Sequence, residues 1–147
     1  MLQEQTIAPN FNLLNAQNKQ KSLSDYAGAW VLLYFYPKDD TPGCTTEACA
    51  FRDNFPFYED TRVQVIGISK DTPESHAKFK EKYDLPFELL SDIDGSVSNL
   101  YGSGVRENPK RISYLVAPNG SIAKTYSKIN PATHADEVIA DLKILQQ

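Results

Sequence analysis

The run Trp30-Val31-Leu32-Leu33-Tyr34-Phe35-Tyr36 is apolar without a break, and Thr41-Pro42-Gly43-Cys44 follows it closely. With Gly28 before it and Pro37 behind it, the run reads as a strand buried on both faces. Thr41 in the N-cap position and Pro42 at the first helical position form a helix start. A buried strand that turns at once into a helix implies a layered α/β architecture, because both faces of such a strand need cover.

The rest of the chain fits that frame. Phe11 to Lys21 alternates weakly around Asn15-Ala16-Gln17-Asn18, which predicts a short N-terminal hairpin. Val63-Gln64-Val65-Ile66-Gly67-Ile68 is a second buried strand, and Pro56 should limit or kink the helix between the two. Asp71-Thr72-Pro73-Glu74 opens another helix running to about Tyr83, and Ile93-Asp94-Gly95 a turn before a short helix ending near Tyr101-Gly102. Arg111-Ile112-Ser113-Tyr114-Leu115-Val116 reads as a third strand. Pro118-Asn119-Gly120 should turn it back into Ile122 to Tyr126. From Thr133 to Leu145, Val138, Ile139, Leu142 and Leu145 share a helical face. The order βαβα then ββα implies a mixed central sheet with helices on both faces, a layout that resembles a thioredoxin-like domain.

With 147 residues and neither repeat nor linker, residues 1–147 are expected to form one domain. The net charge is −4 and the basic residues are scattered, so no surface for nucleic acid or anionic lipid is indicated. The apolar run at Trp30 is too short to span a bilayer. The first residues lack the basic-then-apolar pattern of a secretory signal, so a cytoplasmic setting is expected. There, the two cysteines are more readily catalytic or redox-active than structural.

Cys44 falls in the first helical turn, at the carboxyl end of a buried strand, where α/β sheets tend to place ligand sites. Helix N-termini favour negative charge and offer unpaired N–H groups, which suits a thiolate and an approaching oxygen ligand. Thr41 can set its hydroxyl beside the sulfur, Pro37 and Pro42 supply rigid backbone without a donor, and Gly43 permits close approach. Asp39 and Asp40 disfavour a thiolate nearby and are expected to face solvent. Cys49 comes five residues after Cys44, which in an ideal helix separates the Cα atoms by roughly 8–9 Å and turns them about 140° apart. Disulfides need Cα atoms within about 7 Å, so bonding these two requires the first turns to unwind.

Pro37, Thr41 and Cys44 match the P-x-x-x-T-x-x-C pattern of the peroxiredoxins. The longer string from Tyr36 to Thr45, with Cys49 and Phe51-Arg52-Asp53, resembles their PrxQ, or bacterioferritin comigratory protein, subgroup. The likeness extends to Ala8-Pro9-Asn10-Phe11, Val65-Ile66-Gly67-Ile68-Ser69 and Arg111 to Val116. The resemblance implies a peroxidase without metal or cofactor that acts on hydrogen peroxide and organic hydroperoxides. Cys44 would be the peroxidatic thiol, passing through a sulfenic acid. Cys49 would resolve it as an intramolecular disulfide, reduced in turn by thioredoxin or a similar dithiol partner. Thr41 would hydrogen-bond at the centre, Pro37 would shield the thiolate, and Arg111 would stabilise the thiolate and polarise the peroxide. Glu47 would hold an arginine in place. Arg106, in a stretch with no clear pattern, is a rival to Arg111. With the resolving thiol in the same chain, a monomer is expected.

Plainer readings compete. Cys49 alone fits a small buried core residue. C-x4-C is the wrong spacing for zinc, and His76 and His134 look like solvated surface residues. A thiol–disulfide oxidoreductase suits the inferred fold, but such enzymes carry C-x-x-C. A non-enzymatic redox sensor would use the same cysteine pair as a switch.

Overall fold

The computed structural model describes residues 1–104 and 109–147. Its centre is β3 (Trp30–Phe35), paired in parallel with β4 (Val63–Ser69) and antiparallel with β6 (Ile112–Val116). Beyond β4 lies β5 (Glu88–Ser91), also parallel, and beyond β6 its hairpin partner β7 (Ile122–Tyr126). The expected N-terminal hairpin, β1 (Asn12–Asn15) and β2 (Gln20–Ser22), extends the sheet by pairing β1 against β5. The seven strands run in the order β2-β1-β5-β4-β3-β6-β7.

Alternation along β3 divides the core. Leu32 and Tyr34 face a cluster with Phe51, Tyr58, Phe79, Val138 and Leu142, contributed by α1 (Pro42–Asp53), α2 (Phe55–Asp60), α3 (Pro73–Tyr83) and α5 (His134–Leu145). Val31, Leu33 and Phe35 face the other cluster, closed by Ala8, Phe11, Tyr101 and Val97 of α4 (Ser96–Leu100). Each side chain buried fully in this way stabilises the fold by about 1.5–3 kcal/mol. Gly67 on β4 makes room for this packing, since a Cβ there would stand 2.8 Å from both the Tyr34 ring and Leu89.

Two differences from the sequence expectation are physical in origin. Strand β5 was not anticipated: Glu88-Leu89-Leu90-Ser91 has no β-branched residue and is too short to show a period. On α5, Val138 and Leu142 are buried, whereas Leu145 sits in the last turn and is exposed. Pro56 acts as expected: α1 stops at Asp53, and Pro56 lies in the first turn of α2. Among the described residues no helix is long and apolar enough to cross a membrane.

Candidate active site

Strand β3 ends at Phe35, and residues 36–41 carry the chain over the sheet edge into α1. Thr41 holds the extended conformation of an N-cap and Pro42 the first helical position. The Thr41 hydroxyl, however, donates to the Lys38 carbonyl at 2.8 Å and makes no capping bond to the first turn. The N–H groups at the start of α1 are therefore left without a side-chain cap, around Cys44.

Cys44 is 1 % exposed and belongs to the same apolar cluster as Tyr34, Tyr36, Ala48 and Phe51. Burial alone would suit an inert core thiol. What sets this sulfur apart is a cation: Arg111, immediately before β6, brings Nη2 to 3.4 Å from Sγ. Its Nη1 donates to Glu47 Oε1 at 2.7 Å, and Glu47, one turn beyond Cys44 on α1, is fully buried. Burial pushes the Glu47 carboxyl up to about 7, although the Arg111 charge pulls it down. The guanidinium thus spans sulfur and carboxylate with separate nitrogens, a fork geometry that a lysine lacks. Gly43 allows this approach, since a Cβ on it would stand 2.9 Å from Arg111 Nη2.

Pro37 is half-buried at the end of β3. Cys49, also half-buried, is a free thiol like Cys44, and its ionisation is pushed up by burial despite the nearby Arg52. Both cysteines lie within one continuous helix, so the pair stays unbonded while α1 is intact. Arg106 lies outside the described residues.

Three side chains expected to be solvated are buried. Asp39 is 8 % exposed: it accepts from the Tyr36 hydroxyl at 2.6 Å and from the Ser75 hydroxyl at 2.8 Å, and its Oδ2 lies 2.7 Å from His76 Nδ1. His76 is fully buried, with Nε2 3.1 Å from the Leu90 carbonyl. That carbonyl can only accept, which assigns a hydrogen to Nε2. His134 is 1 % exposed between Ser113 Oγ and Glu137, and burial lowers its basicity. Helical spacing carried the signal: Pro73, His76 and Phe79 form the buried stripe of α3, and His134, Val138 and Leu142 that of α5. Only Asp40 faces outward, paired with Lys82 at 2.7 Å. Asp39, Asp71 and His76 bring ligand-type atoms within 4.8 Å of one another, but hydrogen bonds within the cluster and from Ser69 and Ser75 engage them.

Comparison with known proteins places the chain in a family. The AhpC/TSA family model matches residues 5–125, and the chain belongs to that family. Within it, the relatives are peroxiredoxins of the Bcp/PrxQ group. A protein of Coxiella burnetii described as a putative peroxiredoxin bcp is 43% identical, over 92% of this chain and 95% of its own length. Peroxiredoxin Bcp of Bacillus subtilis is 36% identical over 95% and 94%. The chain spans 64% of the chloroplastic peroxiredoxin Q of Oryza sativa subsp. japonica, at 42% identity. Among solved structures, a cysteine-to-serine mutant of Xylella fastidiosa PrxQ superposes with a TM-score of 0.94 at 29% identity, covering 100% of this chain and 99% of that one. The Xanthomonas campestris bacterioferritin comigratory protein, studied for alkyl peroxide reduction, gives 0.88 at 31% identity over 93% and 92%. The chain is therefore a Bcp/PrxQ-type peroxiredoxin with a thioredoxin-like fold, an enzyme of the peroxidase class.

Proposed function

We propose that this chain, acting as a single domain over residues 1–147, reduces hydrogen peroxide and organic hydroperoxides at Cys44 and is recycled through Cys49. The Cys44 thiolate attacks one peroxide oxygen, and the O–O bond breaks. Sulfur becomes a sulfenic acid, and the other oxygen takes a proton and leaves as water or alcohol. Arg111 stabilises the thiolate and the charge that develops on the leaving oxygen, and the first-turn N–H groups of Gly43 and Cys44 add to this. Thr41 orders the loop over the sulfur, and Pro37 excludes water from one side.

Cys49 then attacks the Cys44 sulfur, expelling water and forming a disulfide. Because α1 holds the two thiols apart, this second step requires its first turns to unwind. A dithiol protein of the thioredoxin type reduces the disulfide in a reducing cytoplasm, and the whole cycle runs within a monomer. The observation that carries this reading is the 3.4 Å contact between Arg111 and the buried Cys44 sulfur at a helix start.

A coupled assay with thioredoxin, thioredoxin reductase and hydrogen peroxide tests it. Cys44→Ser should abolish peroxide consumption, and Cys49→Ser should consume one equivalent and then stall. Sustained thioredoxin-dependent turnover by either variant would refute the assignment.

A further inference from the structure

The segment that must unwind is tied down from outside at both ends by one residue. Tyr83, the last residue of α3, donates its hydroxyl to Asp40 Oδ1 at 2.8 Å, and its carbonyl accepts from Arg52 Nη1 at 2.8 Å. Asp40 precedes the Thr41 cap, and Arg52 lies in the last turn of α1, so Cys44 and Cys49 both lie between the two ties. Lys82 adds a third contact, 2.7 Å from Asp40 Oδ2. Asp40 adopts φ +57°, a left-handed conformation that non-glycine residues take up at a cost. Its carboxylate anchors provide the compensation, and release of those anchors favours relaxation of the loop at the point where α1 begins. The Tyr83 ring itself packs edge-on against Phe79, 5.5 Å between centroids, which fixes the hydroxyl on a rigid element.

We infer that the end of α3, through Tyr83 and Lys82, is a clamp on α1 that sets how fast oxidised Cys44 is released to Cys49. This rests on the resolving role proposed for Cys49. While the clamp holds, the sulfenate stays in the folded site, where a second peroxide can transfer one oxygen to it. That gives a sulfinic acid and releases water or alcohol. When the clamp opens, α1 unwinds and the disulfide forms instead. Tyr83 and Lys82 touch neither the sulfur nor Arg111, so they are positioning residues for the second step alone.

Tyr83→Phe and Lys82→Met each delete one bond to Asp40 and leave the Phe79 contact and the Arg52–carbonyl tie in place. Two readouts on the full chain separate the possibilities. Hydrogen exchange of reduced protein should show residues 45–53 opening faster in both variants, on the order of two-fold because the contacts with Asp40 are exposed. Quenched-flow alkylation after one equivalent of hydrogen peroxide should show an unchanged first oxidation, a disulfide step faster by a similar factor, and less sulfinic acid at high peroxide. Unchanged exchange across α1 in both variants would overturn the clamp. Faster exchange with an unchanged disulfide step would overturn its control of resolution. A wild-type protein that never forms the Cys44–Cys49 disulfide overturns the peroxidase cycle instead, and the exchange data still decide whether the clamp exists.

Discussion

Arg111 and Glu47 form an ion pair, 2.7 Å from Nη1 to Oε1, in which the carboxylate is fully buried and the guanidinium keeps its other nitrogen on the Cys44 sulfur. The pair explains how a cation is held over a thiol that is itself inside an apolar cluster. It also links the turns of α1 that hold Cys44 and Glu47 to the start of β6.

Arg111→Lys should therefore slow the first step far more than it affects folding. A single ammonium cannot span both acceptors, so the sulfur loses its donor while Glu47 keeps a cation. Removal of one such preorganised donor costs about 10²–10³ in rate. Stopped-flow oxidation by hydrogen peroxide gives the rate constant, and thermal unfolding checks the fold.

The raised Glu47 carboxyl makes a signed pH prediction. Its folded value of about 7 lies above the unfolded value of 4.5, so the native state binds the extra proton between them. Stability from this group is full below pH 4.5 and is lost as pH rises through 7. Against Glu47→Gln, whose amide does not titrate, the wild type should lose ground steadily over that interval. A flat difference in melting temperature from pH 4.5 to 7.5 would contradict the assignment.

Gly43→Ala tests the close approach of Arg111 to the start of α1. Alanine is a better helix former than glycine by about 1 kcal/mol in a helix interior, a gain that the first-turn position of Gly43 reduces. The new methyl would stand 2.9 Å from Arg111 Nη2 and must displace the guanidinium. Peroxide reduction should fall at least ten-fold, with denaturant midpoints lowered by the strained Arg111–Glu47 pair but folding retained.

His76→Asn tests the buried network under the loop that leads to α1. The ring bridges the Asp39 carboxylate and the Leu90 carbonyl, and its loss leaves a carboxylate buried beside Tyr36 without its imidazole partner. Loss of one partner from a buried hydrogen-bonded group costs about 1–3 kcal/mol. Urea unfolding should show a loss of that order, with the loop around Asp39 exchanging faster.

Much of this was legible in the sequence, for definable reasons. The β3–α1 junction carried its own punctuation in Pro37, Thr41 and Pro42, and the motif around Cys44 drew attention to Arg111 across the chain. Strand β5 was not legible, because four residues without branching show no period and gain their place only by pairing with β4 and β1. Asp39 is expected toward solvent because a nearby carboxylate disfavours a thiolate, and His76 because its helix is rich in charge, yet both are buried. Apart from Tyr36, three residues before Asp39, their partners lie far off in sequence on α3 and β5, and those contacts leave no local trace. The Thr41 hydroxyl illustrates the same limit, since its turn back to Lys38 depends on loop geometry that N-cap preference does not encode.

The most direct test of the proposed cycle is the intact mass of fully reduced protein, taken seconds after one equivalent of hydrogen peroxide. The account predicts loss of two hydrogens, with Cys44 and Cys49 both gone from a thiol-labelling assay. An unchanged mass with both thiols still reactive would mean that the Cys44 sulfur is not activated by Arg111, and the peroxidase assignment of this site would fall.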